Sequence, residues 1–526
     1  PVPFFNDLLV WLMKRRMPRI EAFRRDPVAA QERTFRRLVG AARNTEWGRE
    51  HGYGSTKAFS TFQERVPVSS YEVFFPYIER VMRGEQRVLW PSPIRWFSKS
   101  SGTTNARSKY IPVSSEALND CHFQGGKDLI ALYVDNHPDT RVFTGKGLSI
   151  GGSLSGNDFN PNSQVGDVSA VVMKNLPPWA QAIRTPNLDV ALMGVWEEKI
   201  ERMAEITMRQ NVTSILGVPT WSLVLIERIL QKTGAASILD VWPNFEVFCH
   251  GAVAFGPYRE LFKSRIFGKE NSYGNAGQRP PVRYLETYNA SEGFFGLQDD
   301  LTRPDELLLM LDYGIFYEFI PTDQLDNPYP RALTIGEVEV GKNYAIVIST
   351  NAGLWRYLIG DTVRFTSLYP HRVKISGRTK HFINAFGEEV IVENAEAAIA
   401  RACEATGATV TDYTAAPVYM GGSGSRRGAH EWVVEFSRLP RDLRRFIEVL
   451  DASLRRINSD YDAKRTADLA LTLPRLHAVP QGTFYEWLRR RGKLGGQHKV
   501  PRLSNSREVV EEILEMVPGG GSGVGV

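Results

Sequence analysis

At 526 residues, 42% hydrophobic and 23% charged, the chain has an ordinary globular composition and the length for two or more domains. A net charge of +5 is too small at this length to argue for a nucleic-acid partner, and at most it favours a small anionic ligand. Three scattered cysteines (Cys121, Cys249 and Cys403) and nine histidines without ligand spacing exclude a disulfide framework and a Cys/His metal site, and they fit a reducing cytoplasm.

Residues 4–13 are apolar but include Asn6 and Asp7, and they run into Lys14, Arg15 and Arg16. A membrane span needs about 20 apolar residues, so none is expected; a docked amphipathic helix is the reading preferred over a surface anchor. Residues 20–90 read as helical, with Phe35, Leu38, Val39 and Ala42 on one face and a further helix opening at Ser70. Strands are expected at 88–90, 94–97 and 109–113, from their aliphatic and aromatic residues.

Between the last two strands lies a loop of hydroxyls around one glycine: Ser100, Ser101, Gly102, Thr103 and Thr104, with Lys109 just beyond. Small side chains let backbone N–H groups turn inward as an anion-binding nest, while hydroxyls add donors and the lysine adds charge. That is phosphate chemistry, although the P-loop pattern is absent. A plain surface turn would have the same composition.

Downstream, a helix at 116–134 precedes strands and glycine turns over 144–156, where Gly151, Gly152 and Ser153 read as a sheet bend or a close approach to ligand. Helices at 189–210 and 219–231 flank a short buried strand at 214–218, which points to an α/β domain. A strand at 247–253 ends on Gly251 and Ala252, either a platform for a flat ring or a strand-to-helix turn. A strand from 283 runs into Asn289-Ala290-Ser291-Glu292-Gly293, where Glu292 is either a carboxylate for Mg2+ and phosphate or a solvated loop acid. Strands follow at 314–320 and 344–348. In 354–365, Asp361 after Gly360 can accept both hydroxyls of a ribose or simply occupy a hairpin turn.

The charged stretch 375–390 marks a domain boundary, giving a domain at 1–378 and another at 379–518. The second is a small α+β unit: helix 392–405, strands 410–418 and 432–436 around a glycine-rich hairpin, helix 443–458, strand 469–473 and helix 483–490. The loop 495–502 holds Lys499, and 519–526 reads as a flexible tail.

In this order the pieces resemble the acyl-adenylate-forming enzymes (acyl-CoA synthetases, peptide-synthetase adenylation domains and firefly luciferase). More closely, they resemble the Gretchen Hagen three, auxin-responsive family of acyl acid amido synthetases, in a bacterial version. The residues that carry the resemblance are Ser100-Ser101-Gly102-Thr103-Thr104 with Lys109, Tyr288 to Glu292, Trp355 to Asp361, and Gln497 to Arg502. Asn105-Ala106 replaces a glycine pair of plant members, and Leu358 stands where they typically carry arginine.

The resemblance implies a large N-terminal α/β domain with helix-flanked sheets and a small mobile α+β C-terminal domain. It implies ATP and Mg2+, a carboxylic acid and an amine or amino acid as substrates, and a cytoplasmic monomer or weak homodimer. Ser100, Ser101, Gly102, Thr103, Thr104 and Lys109 would hold the triphosphate. Glu292 would lie at phosphate and Mg2+, Ser291 at the bound nucleotide, Tyr288, Gly251 and Ala252 at the adenine, and Asp361 and Arg378 at the ribose. Lys499 would reach the α-phosphate, Lys380 would mark the hinge, and Phe123, Val218, Trp221 and Leu225 would line the acyl pocket. Transfer of the same adenylate to coenzyme A, or a catalytically silent binding protein, are the other two functions open to such a chain.

Overall fold

The computed structural model describes residues 3–100, 109–251, 255, 259–268, 282–325, 327, 329–378, 382–383, 388, 390–418, 428–458, 461–462, 465, 471–492, 500–504, 506–517 and 522–524. Two compact units emerge, one drawn from Pro1–Val253 and Arg265–Ile375, the other mainly from Ser376–Leu494 and His498–Val526.

The first unit carries two sheets. The smaller runs β2 (Lys109–Val113), β1 (Trp96–Ser100), β5 (Gln164–Gly166) and β4 (Leu154–Gly156). The larger has 11 strands. Its order is β12 (Ile315–Pro321), β13 (Asn343–Thr350), β14 (Tyr357–Ser367), β15 (Arg372–Arg378), β11 (Leu307–Leu309), β10 (Gly293–Leu297), β9 (Arg283–Ala290), β8 (Val247–Gly251), β7 (Val212–Gly217), β3 (Lys146–Ser149) and β6 (Arg184–Thr185). From β9 to β6 the pairs are parallel, whereas β9–β10, β10–β11, β13–β14 and β12–β13 are antiparallel. All of β8 is buried, as a strand covered on both faces must be, which explains its unbroken apolar reading.

The helical entry layer packs Phe35, Leu38, Val39 and Ala42 into the same core as Tyr317 and Phe319 of β12. Helix Pro3–Lys14 lies against helix Phe123–Asn136. Beside it, Arg16 donates to both oxygens of Asp128 at 2.9 Å and to Asp312 at 2.8 Å, so the docked reading of the N-terminal helix agrees with the structure. Among the described residues no helix is long and apolar enough to cross a membrane.

One buried ion pair ties this layer to the sheet. Glu318 sits on the all-apolar stretch of β12, 1% exposed, and receives Arg356 Nη2 at 2.8 Å and Nε at 2.9 Å. The remaining guanidinium nitrogen donates to the carbonyls of Gln63 and Val66, at the end of helix Phe59–Arg65.

In the second unit, β18 (Thr409–Val418), β19 (Ala429–Arg438), β20 (Arg475–Val479) and β21 (Ser522–Val524) form a sheet with helices on both faces; β16 (Phe382–Ile383) and β17 (Val390–Ile391) pair separately. Period-two alternation sorts the faces: Trp432 and Val434 meet helices Val392–Thr406 and Leu443–Ile457, and Val433 meets Thr483–Arg490 and Glu508–Met516. On that second face Glu435 accepts from the N–H groups of Gly482 (2.9 Å) and Phe484 (3.1 Å), capping helix Thr483–Arg490 from a distant strand.

Several expected elements differ. Residues 88–90 form no strand: Arg87 is at φ 58°, and the carbonyls of Arg87 and Val88 accept from Glu46 and Trp47, at the start of helix Glu46–Glu50. The expected helix 189–210 is split into Leu188–Ala191 and Trp196–Thr207 around Gly194, a costly residue inside a helix, and an extended Val195. The strand placed at 469–473 lies instead at Arg475–Val479, because Pro474 has no N–H to contribute to a ladder; Leu471 makes only an isolated bridge with Gly428. Within the expected flexible tail, Ser522–Val524 pairs antiparallel with Leu476–Ala478.

Two consequences are measurable. Glu318→Leu, which strands a buried guanidinium, should lower stability in urea by about 3–5 kcal/mol, and adding Arg356→Met should recover part of that loss. Burial pushes the Glu435 carboxyl up from 4.5 to about 7, against its two backbone donors. The folded protein therefore holds a proton that the unfolded chain releases, so this contribution falls as pH rises from about 4.5 to about 7. Glu435→Gln should flatten the decline in urea midpoint over that window.

Candidate active site

Ser100 closes β1 and pairs with Lys109, which opens β2, so the hydroxyl loop is the connection of a hairpin. Ser101, Gly102, Thr103 and Thr104 themselves lie outside the described residues. Lys109 Nζ stands 3.5 Å from the hydroxyl of Tyr357 and 5.5 Å from the ring centre of Tyr71. The Tyr357 hydroxyl in turn lies 3.4 Å from Glu292 Oε1. A cation and a carboxylate thus flank one buried phenol, which can donate to one while accepting from the other.

Each member is held by its own strand. Glu292 occupies the two-residue turn between β9 and β10, with buried Ser291 beside it. Tyr357 is the first residue of β14, directly after Arg356, whose φ of 44° aims the guanidinium at Glu318. Tyr71 pins helix Tyr71–Met82 to β2, its hydroxyl donating to the Tyr110 carbonyl (3.2 Å) and accepting from the Tyr110 N–H (2.7 Å). Burial raises the Tyr71 phenol pKa, and the nearby Glu292 charge adds to that, so the ring stays neutral beside Lys109.

Asp361 lies within β14 and not in a turn. Across β13 and β14, Ala345 faces Thr362 and Val347 faces Leu358, so β14 carries extra residues in a bulge that contains Gly360 at φ 88°. Only a residue without a Cβ takes that conformation cheaply, and the bulge turns Asp361 toward β9. There its Oδ2 accepts from the Tyr288 hydroxyl at 2.8 Å. The Tyr288 ring is 5% exposed and lies edge-on to Phe295, centroids 5.0 Å apart.

Gly251 ends β8 opposite Thr287 of β9, at the carboxyl edge of the parallel half of the sheet, the side on which α/β sheets bind ligands. Tyr288 and Ser291 flank that edge on β9 and its turn. Ala252, Lys380 and Lys499 lie outside the described residues. Arg378 ends β15, and Trp221 stands in helix Pro219–Thr233; their side chains are likewise outside the description. Phe123 packs with Val113, Leu118 and Val171, Val218 leads into helix Pro219–Thr233, and Leu225 is fully buried in that helix.

The sequence reading missed Tyr71 and Tyr357. Tyr357 had a signal, since it shares a short segment with Asp361; Tyr71 had none, because only folding brings it to Lys109. Among the described residues there is no group of three or more His, Cys, Asp or Glu side chains able to hold a metal.

Three family models lie along the chain: the GH3 family N-terminal domain at 16–271, the central domain at 308–378 and the C-terminal domain at 393–508. The indole-3-acetic acid-amido synthetase GH3.8 of Oryza sativa subsp. indica is 25% identical, over 92% of this chain and 89% of that protein. The 4-substituted benzoates-glutamate ligase GH3.12 of Arabidopsis thaliana is 23% identical, over 86% and 89%. Of solved structures, the GH3.15 acyl acid amido synthetase superposes with a TM-score of 0.76 over 96% of each chain at 18% identity. A 2-hydroxyisobutyryl-CoA ligase in its postadenylation state reaches 0.55 at 12% identity, over 98% of this chain and 92% of that one. The fold is that of adenylate-forming ligases.

A side chain at Gly251 tests the packing of this edge. Its Cβ would fall 2.5 Å from Thr287 Oγ1 and 2.6 Å from the Thr287 carbonyl oxygen. Gly251→Ala should cost about 1–3 kcal/mol in thermal unfolding, whereas Gly156→Ala, with nothing within 4 Å, should be near neutral.

Proposed function

This chain belongs to the GH3 family, and from that premise we propose that it is an ATP-dependent acyl acid amido synthetase. One oxygen of a carboxylic acid attacks the α-phosphorus of ATP and expels pyrophosphate, leaving an acyl-adenylate. The nitrogen of an amine, in this reading that of an amino acid, then attacks the acyl carbon. The carbon–oxygen bond breaks with its electron pair on AMP, and the amine proton is released.

The observation that carries the reading is the meeting of Lys109, Tyr357 and Glu292 near the carboxyl edge of the sheet, in a chain of this family. In the first step charge spreads over phosphoryl oxygens, and preorganised cations and donors stabilise it. Lys109 would supply a cation at the base of the Ser100–Thr104 loop, whose hydroxyls and N–H groups would cradle the departing pyrophosphate. Glu292, with phosphate oxygens completing the shell, fits Mg2+, an ion commonly held by one or two carboxylates plus substrate phosphates; when bound it would neutralise phosphate charge. Asp361 would accept the ribose hydroxyls with Arg378 near, while Tyr288, Ser291, Gly251 and Ala252 would shape the adenine side.

Lys499, on the second domain (379–518), would bridge the α-phosphate and the attacked carboxylate. Rotation about Lys380 would withdraw it for the second step. Amide transfer is preferred over thioester formation because the relatives aligned over most of the chain are named amido synthetases or amino-acid ligases, whereas likeness to the coenzyme A ligase is one of fold alone. We place the enzyme in the cytoplasm as a monomer or weak homodimer.

Acid-dependent exchange of pyrophosphate into ATP tests the first step, and trapping with amino acids or with coenzyme A separates the second. Lys499→Ala should lower exchange by at least about 10²-fold. Near-normal exchange in that variant would overturn the lysine's role, and trapping by coenzyme A alone would move the protein to another ligase class.

A further inference from the structure

Four of the least exposed arginines among the described residues come with a carboxylate. Arg16 holds Asp128, Arg356 holds Glu318, Arg372 holds Asp299 and Arg465 holds Asp451. Arg184, on the edge strand β6, has no such partner among the described residues. Its Nη2 lies against the Met173 sulfur, and burial alone lowers its pKa, to about 10. Leaving a guanidinium so placed without an acid is costly.

The neighbouring strands leave room beside this guanidinium. Arg184 pairs with Gly147 of β3, and Gly147 with Ser214 of β7. Two residues further along, and so on the same face, Ser149 pairs with Leu216, which is 43% exposed although its strand is internal. Gly147 lacks a side chain and Ser214 has a short one, so this face carries small residues beside the arginine and an exposed leucine two positions further along. Behind Arg184, Met173 packs directly on Gly151; Lys199, 1% exposed, donates to the carbonyls of Gly151 and Gly152 (the latter at 3.0 Å). Asp167, whose charge acts on Lys199 and whose Oδ2 accepts from the Ser153 N–H at 2.9 Å, belongs to that lysine and not to Arg184. Lys146, the other cation on β3, donates to the Ala182 carbonyl.

We propose that Arg184 anchors a carboxylate subsite, taking a carboxylate that does not react, while the body of the same substrate lies along Leu216. The guanidinium fork matches a carboxylate bidentately, which a lysine could not do. The inference rests on the ligase reading, and the carboxylate has two sources: a second acid group on the acyl substrate, or the α-carboxylate of an amino-acid acceptor.

In wild-type protein, succinate, glutarate, adipate and terephthalate are compared with their half-amides in pyrophosphate exchange, and alanine and glutamate with their α-amides in amide formation. One series should lose at least about tenfold in kcat/KM on amidation. Arg184→Met should abolish that discrimination, and Arg184→Lys should keep part of it. Loss in the acid series assigns the subsite to the acyl substrate, and loss in the acceptor series assigns it to the amine. Equal use of acid and amide in both series by the wild type overturns the proposal, as does discrimination that persists in Arg184→Met. If no acid supports exchange, the ligase reading itself has failed. Thermal protection then decides the subsite: protection by the dicarboxylates in wild type and not in Arg184→Met upholds it, and equal protection or none overturns it.

Discussion

The ion pair between Arg356 and Glu318 sets the rest of the first unit. A carboxylate buried on the edge strand β12 is unfavourable alone, and the Arg356 backbone at φ 44° is strained alone. Together, and with the carbonyls of Gln63 and Val66, they satisfy one another and fasten the helical layer to the edge of the sheet. Where β14 begins follows from that fastening. Tyr357 is the next residue, and Asp361 lies four positions further along the same strand, so one buried pair fixes the start of the strand that supplies two of the site's side chains.

The site divides its charges between two sheets. The cation comes from the small sheet, on β2, and the carboxylate from the turn between β9 and β10 of the large one; Tyr357 joins them through its hydroxyl. A phenol hydroxyl suits that position. It links two opposite charges without cancelling either, leaving both able to face a polyanion. The Gly360 bulge does related work further along β14, turning Asp361 toward Tyr288 where a regular strand would alternate it elsewhere. At the far edge of the sheet Arg184 meets no acid among the described residues.

Much of this was legible in the residues. Period-two and period-3.6 patterns marked β2, β7, β9 and helices Pro27–Ala42, Pro219–Thr233 and Val392–Thr406 to within a few residues. The hairpin turn with Ser291 and Glu292 was visible because small residues surround one acid. Misreadings came where tertiary bonding overrode local preference. Residues 88–90 look like a strand but serve the start of a neighbouring helix, and Pro474 shifts β20 away from the apolar run before it. The closing segment Ser522–Val524, rich in glycine, has no strand preference of its own and pairs only because β20 leaves an edge open.

By itself, the amino-acid sequence determined which groups are present and which lie close along the chain: the hydroxyl loop with Lys109, the acid in its turn, the glycine before Asp361. These are short-range facts, dictated by side-chain chemistry and backbone preference. Only the tertiary structure decided which distant groups meet: Tyr71 with Lys109, Tyr357 with Glu292, Tyr288 with Asp361, and Arg184 with no acid among the described residues. Such meetings depend on strand order, register and a bulge, and these are set by packing summed over the whole sheet, which no local stretch of sequence encodes.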